Sequence, residues 1–199
     1  MSSKILTLPN LLTFLRMALI PLFASLLFYG HSAWALIVFM IAGASDGVDG
    51  FVARRFNQQS ELGTILDPIA DKLLMTTAFV ILTLPNIFPP TRHLPVPFWV
   101  TAAVIGRDVL IIAVAVAIFI ITDFRGFKPS WLGKASTLAQ VCGVGLILLA
   151  AVYPTLQSFY LPTVYMTVTA LAVFSGIHYI FFVARLMKKA DANENAPLD

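Results

Sequence analysis

Six long apolar runs, at about residues 9–29, 33–53, 67–87, 97–121, 135–153 and 163–185, dominate the chain. A helix that crosses a bilayer needs roughly 20 mostly apolar residues, so the runs predict an all-α integral membrane protein of six transmembrane helices. Short connections punctuate them: Gly30-His31, then Pro85, Pro89, Pro90, Pro95 and Pro97, then Pro129 and Gly133 around Trp131, and Pro154 with Pro162 bounding the fifth. No soluble domain fits between them. Residues 1–189 are expected to form a single membrane domain, and the polar stretch 190–199 a disordered tail. The composition agrees: 59% of the 199 residues are hydrophobic and 12% charged, too few charges for a disordered chain or an ordinary soluble domain.

A net charge of +3 is scattered rather than gathered into a patch, which argues against nucleic acid and suits short loops beside an anionic leaflet. Nine Lys and Arg (Lys4, Arg54, Arg55, Arg125, Lys128, Lys134, Arg185, Lys188 and Lys189) fall on the side of the termini, against Arg92 on the other. By the positive-inside rule both termini are cytoplasmic. Arg16 and Pro21 within the first run, and the lack of a small-residue cleavage site, argue against a cleaved signal peptide. Cys142 is the single cysteine, which excludes intrachain disulfides and cysteine metal sites.

The acids are clustered. Of seven outside the tail, five lie between Asp46 and Asp71, and carboxylates at the ends of membrane helices are costly enough to imply a function. Glu61 reads as a solvated loop residue. Asp46 and Asp49 are three apart and Asp67 and Asp71 four apart, so each pair shares a helical face. Brought together, four carboxylates repel unless a cation lies between them, and an all-oxygen set suits a hard divalent ion such as Mg²⁺ or Mn²⁺. Gly50, Ala53 and Gly63 allow close approach, and Arg54 offers a guanidinium fork for phosphate, which together point to a phosphate-bearing substrate, a diphosphate.

The pattern Asp46-x2-Asp49-Gly50-x2-Ala53-Arg54-x8-Gly63-x3-Asp67-x3-Asp71 resembles the signature of the CDP-alcohol phosphatidyltransferases at every fixed position. Leu8-Pro9-Asn10-Leu11-Leu12-Thr13-Phe14-Leu15-Arg16 is similar to the opening of the phosphatidylglycerophosphate synthases and eukaryotic-type cardiolipin synthases, and Gly133-Lys134-x2-Thr137-x2-Gln140 to a later stretch of theirs. Arg107-Asp108 stands where phosphatidylglycerophosphate synthases commonly carry Arg-Glu, and is closer to the cardiolipin synthases.

The resemblance implies a phospholipid-synthesising reaction at the cytoplasmic face: transfer of a phosphatidyl group from CDP-diacylglycerol to a glycerol-type hydroxyl, with release of CMP. Glycerol 3-phosphate is the first acceptor it implies, and phosphatidylglycerol the alternative. By the same resemblance Asp46, Asp49, Asp67 and Asp71 hold two divalent ions, Asp71 is the base, and Gly50, Ala53, Arg54 and Gly63 hold the CDP part. Arg16, Arg107 and Lys134 are the cations available to an acceptor phosphate. Otherwise Arg107 would pair with an aspartate and Arg16 would snorkel to headgroups; Asp108 is expected to orient a nearby cation. The family commonly forms homodimers. A membrane prenyltransferase would place its acidic motifs far apart in the chain, and a cation transporter would not explain the Gly50, Ala53, Arg54 and Gly63 spacing.

Overall fold

The computed structural model describes residues 8–56, 61–88, 93–122 and 131–194, with side chains for 13–45, 66–88, 93–114, 116 and 131–184. Among the described residues it is all helical: α1 (Leu8–Phe28), α2 (Ser32–Phe56), α3 (Glu61–Thr83), α4 (Phe98–Thr122), α5 (Trp131–Val152) and α6 (Gln157–Glu194), with a 3₁₀ turn at Pro154–Leu156 before the last. Each expected run becomes one helix. By length and composition two stretches among the described residues are long and apolar enough to cross a membrane, Trp131–Val152 and Pro154–Ala184.

The turn between α1 and α2 follows from one glycine. Gly30 adopts φ +77°, a left-handed conformation that costs other L-residues energy. This lets the His31 N–H reach the Leu26 carbonyl (2.8 Å) and the Gly30 N–H reach that of Leu27 (3.0 Å), so the last carbonyls of α1 are satisfied. The His31 carbonyl then accepts from Ala35 N–H at 3.0 Å and opens α2.

Three boundaries differ from expectation by six residues or more. Helix α3 begins at Glu61 rather than near 67, so Asp67 and Asp71 lie well inside it. Pro68 is tolerated there because it removes one backbone bond without ending the helix. Pro162 lies inside α6 instead of ending a connection, since so near the helix start few backbone bonds are lost. At its far end α6 runs to Glu194, through the first part of the expected tail. Residues 185–194 contain neither Gly nor Pro and are rich in Ala, Lys, Met and Glu, good helix formers. Residues 195–199 lie outside the described residues.

Helices α1 and α5 each pack against both α2 and α3, α4 packs on α3 and α6, and α6 also packs on α5. The interior is apolar, with Phe23, Phe39, Phe79, Leu82, Ile147 and Leu148 almost wholly buried. Gly143 sets the α5–α6 approach: a Cβ there would lie 2.8 Å from Val168 Cγ2. The outer surface is apolar too, with Met40, Val109, Phe174 and Phe181 exposed along the helices, as lipid contact requires.

Candidate active site

Asp67 and Asp71 are one helical turn apart on α3 and half-buried. Asp67 Oδ1 accepts a hydrogen bond from the Thr13 hydroxyl on α1, and Thr13 is completely buried. Arg16 lies three residues further along α1, on the same face, and is also completely buried. The snorkelling expected of it as an alternative does not occur: α1 is packed against two helices, which closes the route to an exposed surface.

Asp71 lines a cavity of about 590 Å³ whose walls come from α2 to α6. Lys72, Arg107, Asp108 and Lys134 share that wall. Asp108 Oδ1 accepts from Lys72 Nζ and from Arg107 Nη1, each at 2.6 Å, which is the orienting contact expected of it. Arg107 also donates through Nε and Nη2 to Ser175 Oγ on α6 (3.3 and 3.2 Å) and through Nη2 to the Gly133 carbonyl on α5 (3.2 Å). Four bonds thus engage a guanidinium with five N–H donors, and one side chain ties α4 to α5 and α6. Only 8% exposed, it needs those partners, because a charge buried without them costs several kcal/mol. Lys134 differs: it is exposed, and makes no ion pair among the described residues.

The remaining predicted residues are placed by backbone alone. Asp46, Asp49, Gly50, Ala53 and Arg54 are on the last turns of α2, and Gly63 on the first turn of α3; their side chains lie outside the described residues. Asp49 is seven residues back from Phe56 and Asp67 six on from Glu61, while Asp46 and Asp71 are each ten from those ends. At about 1.5 Å per residue the two acidic pairs therefore sit at matching depths, roughly 10 and 15 Å, from the ends that the 57–60 connection joins. Among the described residues no three acidic, His or Cys side chains converge on a metal site. Asp67 and Asp71 supply only oxygen, and as an i, i+4 pair they fit one wall of a divalent-ion site.

The family model of CDP-alcohol phosphatidyltransferase matches residues 6–187. The chain belongs to that family. A cardiolipin synthase (CMP-forming)/mitochondrial hydrolase fusion protein of Schizosaccharomyces pombe is 34% identical over 192 residues, 88% of this chain and 31% of that protein. The chain thus spans less than a third of that relative. A CDP-diacylglycerol–glycerol-3-phosphate 3-phosphatidyltransferase of Salmonella typhimurium is 37% identical over 147 residues, 70% of this chain and 75% of the other. The enzyme of that name from Escherichia coli is 36% identical over the same coverage. These family members differ in the names of their products, and the matches are similarly strong.

Sequence reasoning missed Thr13, Lys72 and Ser175 as site residues. Lys72 carried a signal: an ammonium within an apolar run requires an anion, and Asp108, unlike Asp123, is an acid outside the cluster that also lies within an apolar run. Ser175 carried none, since a lone hydroxyl in an apolar helix is common and its partner is 68 residues away.

Proposed function

We propose that the chain is an integral membrane enzyme of six spans with both termini cytoplasmic. It transfers the phosphatidyl group of CDP-diacylglycerol to a glycerol-type hydroxyl and releases CMP, in phospholipid biosynthesis. The observation that carries this reading is Asp71 on the wall of a cavity ringed by three cations, one turn from Asp67 and at matching depth to Asp46. Family membership and the names of the relatives support the reaction class.

The acceptor hydroxyl forms a bond to the phosphorus that bears diacylglycerol, the bond from that phosphorus to the bridging oxygen breaks, and CMP leaves. Asp71 takes the hydroxyl proton. Its carboxylate is anchored in mid-helix, so it can meet an oxygen held in the cavity. Thr13 fixes the Asp67 carboxylate through its hydroxyl. Arg54, with the small Gly50, Ala53 and Gly63, would hold the CDP part. Two Mg²⁺ or Mn²⁺ ions held by Asp46, Asp49, Asp67 and Asp71 would supply charge neutralisation of the diphosphate. Residues 1–189 form one domain in this reading, in a homodimer, with the site at the cytoplasmic face.

The test is purified protein given CDP-diacylglycerol labelled in cytidine, Mg²⁺ and a glycerol-type acceptor, with and without a chelator. CMP release that needs both metal and acceptor is the expected result; none with any glycerol- or inositol-type acceptor would sink the reading.

A further inference from the structure

The stretch Gly133-Lys134-x2-Thr137-x2-Gln140 holds one residue that the cavity does not explain. Gly133, Lys134 and Thr137 line the cavity beside Asp71, whereas Gln140 lies outside its lining and is completely buried, as is Ser136 one turn before it. A glutamine amide brings an acceptor and two donors into an interior of apolar helices, where an unmet polar group is costly. Gln140 Nε2 donates to Ser136 Oγ at 3.4 Å, and Gln140 Oε1 meets no hydrogen-bond partner among the described residues. Turning the amide over exchanges one unmet acceptor for unmet donors, so the deficit belongs to the site itself.

Ser175 carries the complementary deficit. Its Oγ accepts from Nε and Nη2 of Arg107, which uses both lone pairs and leaves the hydroxyl proton to be donated. Ser136 likewise accepts from Gln140 and still has a proton to give. Among the described residues neither proton meets an acceptor. Helix register brings these groups together. Helices α5 and α6 are consecutive, antiparallel and packed, and Gly143 meets Val168 across their interface. Ser136 is seven residues before Gly143 and Ser175 seven after Val168, two turns in each case, so the two serines face one another from the same two faces. Arg107 fixes the same level by bonding both Ser175 and the Gly133 carbonyl.

We propose that Ser136, Gln140 and Ser175 hold a buried water between α5 and α6, and that Gln140 acts through it as a positioning residue for Arg107. Two hydroxyl protons and one amide oxygen are the partners a water satisfies at once, and buried waters typically make about three hydrogen bonds. The water accepts from both serines and donates to Gln140 Oε1. Ser175 is thereby turned with its lone pairs toward Arg107 and grips Nε and Nη2 on one edge of the guanidinium. Asp108 and Gly133 take one further N–H each, which leaves a single N–H, on Nη1, for a group in the cavity. The plane of the guanidinium sets the direction of that N–H, and Ser175 sets the plane. What the N–H serves rests on the phosphatidyl-transfer reading; the water site does not.

Two measurements separate this from packing. In the first, the full chain and its Gln140→Met, Ser175→Ala and doubly substituted variants are melted in detergent. Methionine is close to glutamine in length and apolar, so an orphaned amide oxygen predicts a melting temperature unchanged or raised by Gln140→Met. With the water in place, Gln140→Met should lower it by about 2–4 °C, and by about half as much or less in the Ser175→Ala background. No drop, or equal drops in the two backgrounds, overturns the site. In the second, CMP release from CDP-diacylglycerol with Mg²⁺ is followed against rising glycerol 3-phosphate and, separately, phosphatidylglycerol. For whichever acceptor the parent uses, Gln140→Met should raise the KM severalfold and leave the KM for CDP-diacylglycerol alone, while Gln140→Glu, which keeps the acceptor oxygen, should lie nearer the parent. An unaltered acceptor KM, or Gln140→Glu as impaired as Gln140→Met, overturns the positioning role. A parent that releases no CMP removes the transferase reading, and the melting cycle still decides the water site.

Discussion

At the scale of single residues, Asp71 and Thr13 bear on the site in separable ways. A positioned base contributes about 10²–10⁴-fold to rate, so Asp71→Asn should lower the rate of CMP release by that order while the purified protein keeps its melting temperature. Retention of near-normal turnover refutes the assignment. Thr13→Val keeps the shape and removes the hydroxyl that Asp67 accepts from. A hydrogen bond to a charged group is worth about 1.5–3 kcal/mol, so the expected effect is a higher Mg²⁺ concentration at half-maximal activity, read from a metal titration. The aspartates could be read from sequence because a chain with few charges had placed four at helical spacing. Thr13 could not, since its partner is 54 residues away and nothing in the local pattern distinguishes a packing threonine from one that donates to an acid.

At the scale of elements, the helices were legible and their ends were not. The turn at Gly30 could be read because it has a local cause, a left-handed residue closing α1. The starts of α3 and α6 could not, because Glu61 reads as a loop residue yet opens α3, and Pro162 reads as a boundary whereas the backbone absorbs its missing N–H. Contacts between helices were also hidden: where both faces are apolar, periodicity does not say which face meets a neighbour. Gly143 is one such contact. Gly143→Val forces its branched side chain into Val168 and should destabilise the protein by about 1–3 kcal/mol, seen as a lower melting temperature in detergent. Gly145→Val, two residues on and with nothing within 4 Å of a Cβ, is the matched control and should melt near the parent.

At the scale of the whole molecule, sequence supplied the family and the order of helices, but not the way Asp108, Arg107, Gly133 and Ser175 join α4 to its neighbours at one cavity. Timing is a different consequence, and it belongs to α1. That helix is synthesised before α3, yet its Arg16 is fully buried and its Thr13 is spoken for by a carboxylate on α3. Alone in a membrane, α1 exposes a guanidinium near its middle to hydrocarbon, at roughly 2.5–3.5 kcal/mol on insertion scales. In the proposed six-span topology α1 should therefore enter the bilayer poorly until α2 and α3 arrive to enclose it. In a translocation assay with glycosylation reporters, residues 1–31 should insert less completely than residues 1–88. Biogenesis then runs against the order of synthesis, with α3 rescuing what α1 began.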